Sequence, residues 1–129
     1  MEDTRGTFVL DVETGGSPVG SHQFIDEFNL AYHRAVAQVL HREPEAVISR
    51  ARQNVARWIE SNVFDEGERP SLFEWGKILD ESSVEELIAI ITEDSDEGQR
   101  LRQSTPFAGI LPKQQRMKIL VDCEKRASA

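Results

Sequence analysis

The sequence predicts an all-α protein, a helical bundle of about five to six helices preceded by a short N-terminal strand or flexible arm. Apolar residues recur at three- and four-residue spacing through most of residues 21–129, as on one face of a helix. Proline and glycine mark short connections between these stretches, which favours a bundle. The length of 129 residues fits one domain. We therefore divide the chain into an arm, residues 1–20, and a helical domain, residues 21–129.

The two longest helices are predicted from their apolar stripes. The first stripe has the spacing of one helix face and consists of Phe24, Phe28, Ala31, Tyr32, Ala35, Val36, Val39 and Leu40. Pro44 ends this helix and also suits the first turn of the next one. The second stripe consists of Val47, Ile48, Ala51, Val55, Trp58 and Ile59.

Four shorter helices are predicted from caps and prolines. An acidic turn over residues 62–70 leads into an amphipathic helix over residues 71–80, whose Trp75 and Phe73 we expect in the core. Ser83 with Glu86 forms a capping box that starts the next helix. Asp94 or Ser95 can cap a further short helix that ends near Ser104. Pro112 suits the first position of the last helix. These helix boundaries are read from residue type alone.

The connection over residues 104–112 is unusual because it carries three large apolar side chains, Phe107, Ile110 and Leu111. Connections are normally polar, since their backbone groups need water. This one must therefore pack against the protein's own core or against a partner. If Phe107 and Ile110 face outwards, they form a partner-binding site. We expect Phe107 to face inwards.

The net charge of −8 is distributed in blocks. The formal balance is −5 over residues 1–27, +3 over 28–59, −11 over 60–97 and +5 over 98–129. Such blocks favour pairing within the chain and leave an acidic surface that attracts a basic protein and repels nucleic acid. No direct nucleic-acid partner is expected. No run approaches the roughly 18 apolar residues of a membrane span, so no membrane association is expected either.

The arm contains a short strand-like stretch, residues 7–13, followed by the helix-breaking residues Gly15, Gly16, Pro18 and Gly20. A single strand is not stable alone. It must pair with a second copy of the chain, pair with a partner or stay disordered. An edge strand can join a partner's sheet and direct its carboxylates at a basic cleft. The partner-binding candidates in the arm are Phe8, Leu10, Asp11 and Glu13.

The stretch from Phe8 to Gly16 also resembles the first motif of the DEDD 3′–5′ exonucleases, an apolar strand followed by Asp-x-Glu-Thr. The resemblance implies metal-bound carboxylates at Asp11 and Glu13 that activate water. The family needs further acids on a mixed sheet and, in one branch, a histidine shortly before the last acid. Here the residues after 20 read as helix, and His33 is followed at four and five residues by Ala37 and Gln38. We therefore interpret the match as a coincidence.

No other catalytic, metal or cofactor motif is complete. His22, His33 and His41 lack zinc-ligand spacing, and we expect them at the surface or at its boundary. Cys123 is the single cysteine, which excludes an internal disulfide and suits a reducing cytoplasm. We expect it to be a small packing residue rather than a catalytic thiol. The predictions are therefore no catalytic residues, no metal, no cofactor and no enzymatic activity.

The region from Trp58 to Leu120 resembles the C-terminal part of small bacterial helical proteins of toxin–antitoxin systems. The residues that carry the resemblance are Leu101, Arg102, Gln103, Ser104, Pro106, Phe107, Ala108, Gly109 and Leu111. The resemblance implies a non-enzymatic antitoxin. Some family members carry a DNA-binding module, and no such motif is found in this sequence, which leaves autoregulation at DNA open.

The leading hypothesis is a cytoplasmic antitoxin or inhibitor that neutralises a cognate toxin by direct protein–protein binding. A nuclease or nucleotidyltransferase is the expected class of toxin. One alternative is a metal-dependent 3′–5′ exonuclease that uses Asp11 and Glu13. Another is a homo-oligomeric helical scaffold whose N-terminal strands pair between copies.

Overall fold

A computed structural model describes residues 22–61 and 69–128. Within these ranges the chain forms six α-helices and no strand, and 84% of the residues are helical, which confirms the all-α prediction. The helices are α1 (His22–Arg42), α2 (Pro44–Ser61), α3 (Arg69–Glu81), α4 (Val84–Ile91), α5 (Asp96–Gln103) and α6 (Lys113–Ser128). The strand predicted for residues 7–13 lies outside the described residues.

Helix α1 is the centre of the bundle. It packs against α2, α4, α5 and α6, while α3 packs on α2 and α5 packs on α4. One face of α1 is buried along its whole length, through Phe24, Phe28, Tyr32, Val36 and Leu40. This is the stripe predicted from the sequence. A single long helix with an apolar face can serve as the common support for shorter helices that could not bury their own apolar sides alone.

The caps show why the shorter helices begin where they do. The Ser83 hydroxyl accepts from the Glu86 amide at 3.0 Å, and the Glu86 carboxylate accepts from the Ser83 amide at 2.8 Å, so the predicted capping box is formed. The Ser95 hydroxyl caps α5 by accepting from the Gly98 amide at 3.1 Å. Pro112 precedes α6 instead of opening it, and its carbonyl accepts the Arg116 amide at 3.0 Å.

The core is assembled from all six helices and the connection before α6. Trp75 of α3, Leu87 and Ile91 of α4 and Phe107 of the connection are each 0% exposed. Leu101 of α5 and Cys123 of α6 are also buried. Phe73 departs from expectation, since its side chain is 57% exposed on α3.

Candidate functional site

The connection between α5 and α6, residues 104–112, runs through the interior of the bundle. Pro106 and Phe107 are fully buried, and Leu111 is 6% exposed. The ring of Phe107 meets the indole of Trp75 edge-on with 5.8 Å between centroids, and it meets the imidazole of His33 in the same way at 6.2 Å. Such edge-to-face contacts are the preferred geometry of aromatic pairs. Of the two orientations left open by the sequence, Phe107 faces inwards.

Side chains from α1 and α2 satisfy the buried backbone of this connection. The Tyr32 hydroxyl donates to the Phe107 carbonyl at 2.7 Å. The Asn54 amide donates to the Pro106 carbonyl at 2.9 Å and to the Ala108 carbonyl at 3.1 Å. A buried carbonyl without a donor costs free energy, so these two side chains are what allows an irregular segment to enter the core.

His33 links α1 to the same connection. Its Nδ1 lies 2.7 Å from the Asn29 carbonyl, and its Nε2 lies 2.7 Å from the Thr105 hydroxyl. A carbonyl can only accept, so this bond pattern assigns the proton to Nδ1. Nε2 then accepts from the Thr105 hydroxyl, whose oxygen in turn accepts from the Phe107 amide at 3.1 Å. The chain of bonds is complete when His33 is neutral.

The pKa of His33 is lowered from its ordinary value of 6.5 to about 4, and burial is the largest cause. The hydrogen bond to the Asn29 carbonyl opposes this effect by raising the pKa, and the positive charge of Arg102 lowers the pKa further. The unfolded chain therefore takes up a proton at a higher pH than the folded one. The free energy of unfolding should fall as the pH drops from about 6.5 to about 4, by about 1.4 kcal/mol per pH unit from this residue alone.

Urea unfolding between about pH 7 and about pH 4.5 measures this loss. His33→Gln should reduce the pH dependence in this window, because the group that takes up the proton is gone. The control is His41→Gln, which changes an exposed histidine of the same helix. Equal pH dependence in the two variants would show that His33 is not the group responsible.

Two further interior side chains tie α5 to its neighbours. The Trp75 indole donates to the Leu101 carbonyl at 3.0 Å. Arg102, only 2% exposed, donates through one guanidinium nitrogen to the Ile91 carbonyl at 3.2 Å and the Glu93 carbonyl at 2.8 Å. A cation at the C-terminal end of a helix is favourable, so Arg102 stabilises the end of α4. These contacts fix the end of α5 from which the connection begins.

The exposed surface is strongly divided by charge. Between residues 69 and 97 the acids outnumber the two bases, and the acids that are exposed are Asp80, Glu81, Glu85, Glu86, Glu93, Asp94, Asp96 and Glu97. We call residues 69–97 the acidic region. Arg100 borders it and donates to both oxygens of Glu74, at 3.1 and 2.9 Å, as well as to Glu97. Helix α6 carries the opposite sign, with exposed Lys113, Lys118, Lys125 and Arg126.

The predicted partner-binding residues divide into three groups. Phe8, Leu10, Asp11 and Glu13 lie outside the described residues. The structure places Phe107 in the core, so its ring is not an exposed contact. Ile110 is half-buried and packs against the same core as Phe107. The connection is therefore an internal joint in this structure.

No group of three histidine, cysteine, aspartate or glutamate side chains within residues 22–61 and 69–128 could hold a metal ion. Cys123 is fully buried, and burial raises the pKa of its thiol. Among the described helices, none is long and apolar enough to cross a bilayer.

Sequence reasoning missed the interior polar residues. His33 was expected at the surface or its boundary, which is wrong, since it is 1% exposed. Asn54 was not singled out and is 2% exposed. A signal was available for both: His33 lies three and seven residues before the buried Val36 and Leu40, and Asn54 lies three residues after the buried Ala51. Polar residues at core positions of a stripe indicate buried hydrogen bonds.

Comparison with known proteins gave no match to a protein-family model, a curated protein or a solved structure. Function is therefore inferred from the residues and contacts of the chain itself.

Proposed function

We propose that the protein is a cytoplasmic antitoxin or inhibitor that neutralises a cognate toxin by direct binding, with the acidic region as a main contact surface. The observation that carries the proposal is the run of exposed carboxylates from Asp80 to Glu97 on the helices α3, α4 and α5 and their connections. A surface of one sign attracts a partner of the opposite sign and accelerates its association.

The contacts of the protein interior favour a function that is carried out by the protein surface. The polar side chains of Tyr32, Asn54, Trp75 and Arg102 each donate at least one hydrogen bond to a backbone carbonyl of the protein itself. Their contacts account for the fold, which leaves the charged exterior as the part of the described structure best suited to meet another molecule.

The proposed partner is a nuclease or nucleotidyltransferase. Enzymes that act on phosphates present basic groups in their clefts. The acidic region can mimic the charge of the phosphates, and Asp11 and Glu13 of the arm are proposed to enter the cleft itself. Neutralisation would then follow from occlusion of the active site.

Co-expression with the product of the adjacent gene tests this proposal. A stable complex on size-exclusion chromatography and rescue of growth are expected. The variant with both Glu81→Lys and Glu85→Lys should weaken binding at least tenfold at low salt, an effect that is smaller at high salt because exposed charges are screened. Glu124→Lys, an exposed acid on the basic helix α6, is the matched control and should change affinity much less.

Two results would contradict the proposal. If the neighbouring gene products give neither a stable complex nor growth rescue, the proposed antitoxin function is ruled out. A stable complex whose affinity is unchanged in the double lysine variant would remove the acidic region as its contact surface.

A further inference from the structure

Two arginines from different helices lie at the outer side of the connection between α5 and α6. Arg50 is exposed on α2, and its guanidinium lies against Gly109: a Cβ added to this glycine would stand 2.7 Å from Nη2 of Arg50 and 3.5 Å from its Cζ. Gly109 has a φ of +79°, which residues with a side chain rarely adopt. Arg116 is half-buried on α6, where its amide donates to the Pro112 carbonyl at 3.0 Å. We call Arg50 and Arg116 the arginine pair.

The two positive charges converge on one place in the fold. Burial raises the pKa of the Tyr32 hydroxyl, whereas the positive charges of Arg116 and Arg50 each lower it. Hydrogen bonding by the backbone of Leu111 and Ile110 lowers the same pKa. Both guanidiniums therefore lie near residues 109–111, where the connection passes over α1 and turns into α6.

No described carboxylate neutralises the arginine pair. Within residues 22–61 and 69–128 neither guanidinium forms an ion pair or donates a hydrogen bond, whereas Arg52 pairs with Asp80 at 3.4 Å and Arg100 pairs with Glu74 at 2.9 Å. Positions three and four residues before and after each arginine hold no acid: they are Ala46, Val47, Gln53 and Asn54 around Arg50, and Pro112, Lys113, Ile119 and Leu120 around Arg116. The connection, residues 104–112, holds no acid either. In a chain of net charge −8, two cations thus converge without a counter-charge, and a bound anion would relieve their repulsion.

The number and chemistry of the donors indicate the class of anion. A guanidinium presents its N–H groups as a planar fork that matches two oxygens of a phosphate or a carboxylate. Two such forks on separate helices require a ligand with more than two oxygens and more than one charge. A phosphate monoester offers three oxygens and a charge of about −1.5 to −2 at neutral pH, whereas a carboxylate offers two oxygens and one charge.

A third base adds to the positive charge at this place. Lys113 is exposed and lies three residues before Arg116, so the two are neighbours on one side of α6. The exposure of Arg50 and Lys113 leaves the arginine pair open to a ligand from solvent. Gly109, which is also exposed, places no side chain between the ligand and the Arg50 guanidinium.

We propose that Arg50 and Arg116 bind a phosphate dianion, either free phosphate or the terminal phosphate of a small molecule, at the outer face of residues 109–111. The bound phosphate links α2 to α6 across the connection. This site is separate from the acidic region, residues 69–97, and needs no toxin, so it does not depend on the proposed function.

An NMR titration of the full chain with inorganic phosphate, at constant ionic strength, tests the site. The Gly109 amide and the Nε–H groups of the arginine pair should shift in a saturable way, with a dissociation constant of about 1 mM or tighter. Arg50→Gln and Arg116→Gln should each weaken binding at least about tenfold, because each removes charge-assisted hydrogen bonds. Lys125→Gln is the matched control, since Lys125 is an exposed base near the other end of α6, and should change the affinity less than about twofold. An unchanged midpoint of urea unfolding without phosphate shows that each variant is folded.

Glycerol 3-phosphate and acetate complete the titration. Tighter binding of glycerol 3-phosphate than of inorganic phosphate identifies the terminal phosphate of a small molecule as the ligand, and the reverse order identifies free phosphate. Three results would overturn the inference. The first is the absence of a saturable shift with either phosphate up to about 10 mM. The second is an equal loss of affinity in Lys125→Gln and the two arginine variants, which would mean unspecific attraction by charge. The third is equal affinity for acetate, which would exclude a site built for a dianion.

Discussion

Phe107→Ala should lower the free energy of unfolding by about 3–5 kcal/mol, the range for removing a fully buried phenylalanine ring. The ring is 0% exposed and makes edge-to-face contacts with Trp75 and His33. Its removal leaves a cavity where α1, α3 and the connection meet. Chemical denaturation measures the loss, with an unchanged dependence on denaturant as the sign that the native fold persists.

Phe73→Ala is the matched control, because it makes the same chemical change at a side chain that is 57% exposed. It should cost much less than Phe107→Ala. Similar losses at the two positions would mean that Phe107 is not the packing centre that its burial indicates.

Asn54→Leu should cost about 2–4 kcal/mol, even though leucine has nearly the size of asparagine, because it leaves one buried and one part-buried carbonyl without this donor. These are the carbonyls of Pro106 and Ala108. The Arg57 guanidinium also loses its bond to the Asn54 side-chain oxygen, at 2.6 Å. Thermal or urea unfolding at neutral pH measures the difference.

Gln53→Leu provides the comparison, since Gln53 precedes Asn54 in the same helix and is exposed. Exposed substitutions away from special features usually change stability by less than about 0.5 kcal/mol. If Asn54→Leu were as mild as Gln53→Leu, the carbonyls of the connection would have to find other donors.

The helices could be predicted because their signals are local. The stripe of α1, the role of Pro44 between α1 and α2, and the capping box of Ser83 and Glu86 each depend on residues within a few turns of one another. Two helix starts differ from the predicted ones: α3 begins at Arg69 and not at residue 71, and α6 begins one residue after Pro112. Such differences are expected where helix ends are read from residue type alone.

The connection could be predicted only in part. Three large apolar residues in a short segment indicated burial, but burial in the core and burial in an interface have the same sequence pattern. The deciding contacts join residues far apart in the chain: Tyr32 and Phe107 are separated by 75 positions, and Asn54 and Pro106 by 52. No local spacing reports which distant residues such pairs join. The burial of His33, in contrast, was indicated by its helical spacing to Val36 and Leu40.

The candidate partner-binding surface was identified from the distribution of charge and not from a sequence motif. The acidic balance of residues 60–97 is visible in the sequence, and the structure shows that its described carboxylates are mostly exposed. The exposure of Met117 and Val121, 43% and 41%, could not be foreseen, because apolar residues at helical spacing normally indicate the buried side of a helix. Only the packing of α6 on α1 shows which residues of this helix remain outside.

Native-state hydrogen exchange at the Phe107 amide tests most directly that the connection is an internal joint. This amide donates to the part-buried Thr105 hydroxyl, in a segment that would exchange quickly if it were an ordinary surface loop. Our expectation is that this amide exchanges only through global unfolding, with the same free energy as the amides around Val36 in α1. Exchange at a much lower free energy than those amides would contradict it.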